Sequence, residues 1–325
     1  MKLLHFLFLC VFTNFLFGQE LVEIERFGKN PGNLKMFVFN SMPSDITKKP
    51  LLIVLHGCTQ NANQVAELTG WNKLAVNNNF VVIYPQQRFI NNPNYCYNWF
   101  LENDVNKGKG ECESIYEMIQ FAKANYNIDS NKINITGLSS GASMCMAMVA
   151  THPETFQNAA VFSGGGYKIG MGLFDGIQAM SGDIKLSQEE LVNLVKEQNP
   201  DYKGSYPNLI IYQGKEDKLV NFKNANVIVS QWAGLQKIDT IPDKIENSFM
   251  GIDDICRKEF QDTTASTKII LYEVANLGHK LLIKPGEKED EGGKSGFLGV
   301  EKGFHSTHQT AKEFALILTK NSEKK

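Results

Sequence analysis

Leu51-Leu-Ile-Val-Leu55 is an unbroken apolar run that stops at His56-Gly57. Successive side chains of a strand point to opposite faces, so such a run needs apolar cover on both. A parallel sheet packed between two layers of helices supplies it. Phe80 to Tyr84, Ile133 to Thr136, Ala159 to Phe162, Asn208 to Tyr212 and Lys268 to Val274 read as further strands. Residues 34–39 alternate imperfectly and predict an early, partly exposed strand. Helical spacing fills the intervals: 61–76 (Val65, Leu68, Trp71, Leu74), 113–124 (Ile115, Met118, Ile119, Ala122), 142–150 and 224–235. Residues 305–318 close the chain as a helix with Ala311, Phe314, Ala315 and Leu318 inward. Strands alternating with helices predict an α/β fold, a doubly wound and mostly parallel sheet in one domain, 19–325.

Three stretches depart from that rhythm. Residues 86–111 form a long irregular segment whose aromatic content (Tyr95, Tyr97, Trp99, Phe100) argues for a functional loop over a disordered one. Residues 167–206 read as an insertion over the carboxyl end of the sheet. It contains one helix, 188–198, opened by the capping box Ser187/Glu190. Residues 284–296 are charged and Gly-rich, the composition of a solvated loop.

Residues 1–18 carry Lys2, an apolar core from Leu3 to Phe17 and a small Gly18, the pattern of a secretory signal. The expected product is secreted or periplasmic, with no stable membrane insertion once the signal is removed. Of six cysteines, Cys10 leaves with the signal, and Cys58, Cys96, Cys112, Cys145 and Cys256 remain. In an exported chain they allow one or two disulfides. No C-x-x-C pair or histidine cluster suggests a metal. A formal charge of −2 gives no basic field for nucleic acid.

Ligands of such sheets bind beyond the carboxyl ends of the strands, and four of these ends carry reactive groups. Gly137-Leu-Ser-Ser-Gly141 follows a β-branched run and precedes a small-residue helix, the context of a G-x-S-x-G nucleophile elbow. Asp217 follows the strand at 208–212 and His279 the strand at 268–274. The order Ser139, Asp217, His279 is that of α/β-hydrolases. A serine hydroxyl needs an imidazole to take its proton, and the imidazole needs a carboxylate to fix its tautomer. The oxyanion then formed needs two amide donors, expected at Ser140 and at the loop around Cys58. Glu216 competes with Asp217, and His305 and His308 compete with His279. His152 reads as structural and Cys145 as a buried thiol.

His56-Gly-Cys-Thr-Gln60, Tyr84-Pro-Gln-Gln87, Cys96-Tyr-Asn-Trp-Phe100, Gly137-Leu-Ser-Ser-Gly141 and Gly278-His279 occur in the order of polyhydroxybutyrate-depolymerase-like esterases. That family resembles the feruloyl and acetylxylan esterases of carbohydrate esterase family 1. The resemblance spans about residues 34–318. It implies an α/β-hydrolase fold, export, no cofactor and hydrolysis of carboxylic esters. It implies Ser139, Asp217 and His279 as the triad, Cys58 and Ser140 as oxyanion amides, and Trp99 in the substrate cleft. It also suggests a Cys58–Cys96 disulfide, with Cys96–Cys112 the competing pairing. Ser140 and Ala142 stand where the family usually has Ala and Gly, and Lys280-Leu-Leu follows His279 where aromatic or Pro residues are usual. With no room for a polymer-binding module, hydroxyalkanoate oligomers or soluble short-chain esters are the expected substrates. Feruloyl or acetyl esters of plant polysaccharide are the alternative.

Overall fold

In a computed structural model the described residues are 20–41 and 45–317, so the signal-like segment lies outside them. In chain order the elements are β1 (Val22–Ile24), β2 (Lys35–Phe39), β3 (Lys49–Leu55), α1 (Ala62–Thr69), α2 (Trp71–Asn78), β4 (Val81–Gln86), α3 (Glu102–Val105), α4 (Gly110–Asn125), β5 (Ile128–Leu138), α5 (Ser140–Thr151) and β6 (Asn158–Phe162). There follow α6 (Leu173–Met180), α7 (Gln188–Lys196), β7 (Asn208–Gly214), α8 (Lys223–Gln236), β8 (Lys244–Glu246), β9 (Ile255–Gln261), β10 (Thr267–Val274), β11 (Leu281–Ile283), β12 (Gly299–Glu301) and α9 (Ser306–Glu313).

β1 to β10 form a ten-stranded sheet in the order β1-β2-β4-β3-β5-β6-β7-β10-β9-β8. From β4 to β10 the pairs are parallel, and antiparallel strands finish both edges. The apolar runs divide by parity, as their pattern requires. Leu51, Ile53 and Leu55 join Val161, Ile211 and Leu271 in a core shared with α4, α5 and α8. Leu52 and Val54 join Phe162, Tyr212 and Tyr272 in a second core beneath α1, α2 and α9. On that second face Phe162, Tyr212 and Tyr272 stack across three strands, with ring centroids 4.5 Å apart at each step.

The single helix expected over 61–76 is broken into α1 and α2 at Gly70, which has φ 74° and ends α1 left-handed. A Cβ there would also meet the Gly293 nitrogen at 2.7 Å, so a loop packs into the break. The insertion holds two helices, α6 and α7. Ser187 and Glu190 form their reciprocal capping bonds at the start of α7. The stretch expected as a solvated loop is bracketed by the short parallel pair β11 and β12. Among the described residues no helix is long and apolar enough to cross a membrane.

Candidate active site

The strand order reverses around β3: β4 lies on one side of it, and the chain then crosses to β5 on the other. The carboxyl ends of β3 and β5 are therefore the switch point at which such sheets bind ligands. Cys58 and Ser139 sit there.

Ser139 is held between β5 and α5 at φ 56°, ψ −120°. For a residue with a side chain this conformation costs on the order of 1–3 kcal/mol, so its surroundings must enforce it. Its amide donates to Phe162 O at 2.9 Å, and its carbonyl receives the amides of Ala142 (2.9 Å) and Ser143 (3.1 Å). The flanking glycines permit the close approach. A Cβ on Gly141 would lie 2.5 Å from the carbonyl oxygens of both Leu55 and His56, and one on Gly137 would collide with Gly141. Ser140 opens α5. As a first-turn residue its amide has no partner within the helix.

Asp217 and His279 come together because the turns after β7 and β10 are joined. Lys215 N donates to Val274 O (2.9 Å) and Glu216 N to Leu277 O (3.0 Å). A side chain at Gly214 would strike the Leu277 carbonyl. His279 Nδ1 then lies 2.8 Å from Asp217 Oδ2. Asp217 Oδ1 accepts the amides of Leu219 and Val220, both at 2.9 Å. Gln213 Nε2 adds a longer bond to Oδ2, 3.3 Å. Burial opposes the Asp217 charge, yet the His279 bond and charge and the two amides outweigh it and hold the carboxyl below its usual range. An ionised carboxylate only accepts, so Nδ1 carries the proton and Nε2 is left as a base.

The competing residues lie elsewhere. Glu216 is exposed. His305 is buried with Nε2 3.0 Å from Thr69 O, and His308 lies with Lys284 and Asp290 in a separate depression. His152 stacks on Tyr116 at 4.2 Å, as a structural residue would.

Cys58 is disulfide-bonded to Cys96, while Cys112, Cys145 and Cys256 are free thiols, so the Cys96–Cys112 pairing is not formed. Beside the bridge His56 is fully buried, which lowers its pKa to about 4 and keeps it neutral. Its Nε2 faces the Gln87 amide at 3.1 Å, a donor, so Nδ1 must donate to Gly57 O at 2.7 Å. The Gly57–Cys58 peptide is trans. With its carbonyl turned to His56, its N–H points the opposite way. Among the described residues no backbone carbonyl takes that amide.

Ser139, Ser140 and the disulfide open onto a cavity of about 240 Å³, walled mainly by Trp99, Phe100, Leu173, Ile177, Met180 and Val220. α6 supplies three of these walls. The insertion was expected to hold one helix, α7, so α6 was missed although Leu173, Ile177 and Met180 stand at helical spacing; here that stripe faces the cleft. Gln213 and Glu111 were missed too, and Gln87, part of the Tyr84–Gln87 motif, was given no role. Glu111 did leave a signal, an acidic residue on the same helical stripe as Ile115, Met118 and Ala122.

A serine strained into a strand–helix turn, on a sheet that also brings Asp217 to His279, defines an α/β-hydrolase. The chain matches the family described as "Esterase PHB depolymerase" over residues 36–244. It is 33% identical over 91% of its length to poly(3-hydroxyalkanoate) depolymerase C of Paucimonas lemoignei, spanning 70% of that protein. To feruloyl esterase B of Talaromyces stipitatus it is 30% identical over 66% of the chain and 61% of that protein. The solved acetyl xylan esterase of Aspergillus awamori superposes with a TM-score of 0.73 at 25% identity, covering 80% of this chain and 94% of that one. The chain belongs to the PHB-depolymerase esterase family and is a carboxylic ester hydrolase.

Proposed function

We propose that this protein is an exported serine esterase that works through an acyl-enzyme on hydroxyalkanoate oligomers or soluble short-chain esters. The observation that carries the reading is the Asp217-bound His279, whose Nε2 is left as a base at the carboxyl end of the strands, where Ser139 also lies. His279 Nε2 takes the Ser139 hydroxyl proton as Oγ attacks the acyl carbon. The oxyanion is received by the Cys58 and Ser140 amides. Collapse expels the alcohol, which leaves with the proton from His279. Water, deprotonated by the same nitrogen, releases the acid and restores Ser139. No cofactor is required.

The apolar cavity beside Ser139 takes the acyl group, with Trp99 as one wall. At about 240 Å³ it is smaller than the ~300–1,000 Å³ of clefts for drug-sized ligands, which favours short acyl units. Export is supported by the signal-like pattern of residues 1–18 and by a disulfide in the site, a feature of oxidising compartments. The similarity to feruloyl and acetylxylan esterases favours a second reading, deacylation of plant polysaccharide.

Ser139→Ala is expected to abolish p-nitrophenyl butyrate hydrolysis with an unchanged thermal melt; retained activity sinks the proposal. Hydroxybutyrate oligomers, methyl ferulate and acetylated xylan assayed in parallel order the substrates. A preference for acetylated xylan would replace the first reading by the second.

A further inference from the structure

A chain of buried polar groups that the reaction itself does not use runs beneath the Cys58 turn. Glu111, in the first turn of α4, is only 1% exposed. Its Oε1 accepts from Gln87 Nε2, and its Oε2 accepts the Asn98 amide at 2.9 Å. Gln87, itself fully buried, passes the contact on in two directions. Its side-chain amide donates to Cys96 O at 3.1 Å. Its backbone amide donates to His56 Nε2 at 3.1 Å, and His56 in turn holds Gly57 O at 2.7 Å. One branch thus reaches the Gly57–Cys58 peptide through an imidazole. The other reaches the Cys58 side chain through the disulfide to Cys96.

Burying a carboxyl is costly for stability when no cation pairs with it. The charged neighbour of Glu111 is Asp104, which has the same sign, and its hydrogen-bond partners are neutral amides. An apolar side chain of similar volume would serve the core at least as well. What an apolar side chain cannot do is fix two amides at a set separation, one on Gln87 just after β4 and one on Asn98 in the Cys96 segment.

We propose that Glu111 is a positioning residue for the oxyanion site, orienting the Cys58 amide through Gln87, His56 and the Cys96 segment. This rests on the reading of Cys58 as an oxyanion donor. Glu111 touches no reacting atom. Its effect is to keep the donor aligned with the oxygen as charge develops there, and misplacements of about 1 Å cost up to about 100-fold in rate.

Two variants test it. In Glu111→Gln one carboxyl oxygen, which can accept through a lone pair even in the protonated acid, becomes an NH2 that cannot accept from the N–H donor facing it. In Gln87→Met the link is cut while side-chain length is kept. Each is expected to lower kcat on p-nitrophenyl butyrate about 10- to 100-fold with KM changed less than about 3-fold. A trifluoromethyl ketone, to whose carbonyl Ser139 Oγ adds to give a hemiketal with its oxyanion in this site, should weaken by the same factor as kcat/KM. Folding is monitored by thermal melts, and rates are referred to sites titrated by a fluorophosphonate. Wild-type kcat in both folded variants overturns the proposal. So does a rate loss without matching loss of ketone affinity, and so does failure of both variants to fold, which would make the network a folding requirement. If Ser139→Ala stays active, the underlying serine-esterase reading falls. If it is inactive and Glu111→Gln behaves as wild type, only the positioning role falls.

Discussion

Asp217→Asn should disable the protein through a tautomer, and the hydrogen bonds around Asp217 say why. Oδ1 accepts two backbone amides, Leu219 and Val220, both at 2.9 Å. These donors cannot move without unwinding the turn, so the amide oxygen of Asn must stay with them. The NH2 then takes the place of Oδ2, 2.8 Å from His279 Nδ1. An NH2 only donates, so Nδ1 must accept and the ring proton shifts to Nε2, the atom required as base. Flipping the amide would set NH2 against two N–H donors and leave the oxygen with His279. Both arrangements are worse than wild type, and the first, which loses only the longer Gln213 bond, is catalytically wrong. The expected loss in kcat is about 10⁴-fold, or about 5 kcal/mol of transition-state stabilisation, with KM little altered. Steady-state kinetics on p-nitrophenyl butyrate, with circular dichroism to confirm the fold, measure it. Glu216→Gln is the control, since that side chain is exposed. A loss below about tenfold in the Asp217 variant, or a large one in the Glu216 variant, would refute the argument.

The disulfide joins residues 38 apart, and chain entropy sets its contribution at about 4 kcal/mol. A Cys58→Ser/Cys96→Ser double variant should lose most of this in urea melts and also lose kcat; a loss under about 1 kcal/mol contradicts the brace. Gly141→Ala places a methyl 2.5 Å from two carbonyl oxygens. It should cost about 3 kcal/mol or more, and a variant melting like wild type would show the elbow to be less tight than described. Burial, reinforced by Asp104, pushes the Glu111 carboxyl from 4.5 up to about 8. Between those values the folded chain keeps a proton that the unfolded chain has lost, so this group's contribution to stability falls as pH rises. Glu111→Gln should therefore lose less stability than wild type between pH 5 and pH 8.5, read from urea midpoints, and an identical slope would refute this.

The parallel centre of the sheet was legible because burial on both faces favours unbroken apolar runs, and Leu51 to Leu55 and Ala159 to Phe162 are such runs. The antiparallel edge made by β8 and β9 was not, whereas β2 near the opposite edge coincides with the strand expected over 34–39. β9 reads Ile-Cys-Arg-Lys-Glu-Phe-Gln, and its charges are accommodated partly by one another and otherwise by partners on other elements. Arg257 meets Glu259 and Glu313, and Lys258 meets Glu273 across the strand pair. No local pattern announces such pairing. Asp217 was read as the acid with Glu216 in competition, and the feature that pairs it, and not its neighbour, with His279 was hidden. The pairing depends on which side of one turn faces the β10 loop, and that is set by the Lys215–Val274 and Glu216–Leu277 backbone bonds.

This division explains why the reaction can be read from the sequence sooner than the ester. Ser139, Asp217, His279 and Cys58 all sit where strands end, and the position of a strand end follows from where an apolar run stops. The walls of the acyl cavity have no such anchor. Trp99 and Phe100 come from a segment with little regular structure, and Leu173, Ile177 and Met180 come from α6. That helix is fastened by backbone bonds at each end, Gly172 N to Phe100 O at 2.7 Å and Asn221 N to Met180 O at 2.8 Å. Gly176 brings it against Trp99 and Phe100, where a Cβ would lie 3.2 Å from the Phe100 Cβ. Main-chain fastening constrains side chains weakly, so Leu173 and Ile177 can change without disturbing the sheet or the elbow. On the proposed reading, acyl preference is tuned most freely at the exposed Leu173 and Ile177, and an exchange at Ile177 should alter it while leaving the Asp217–His279 pair as it is.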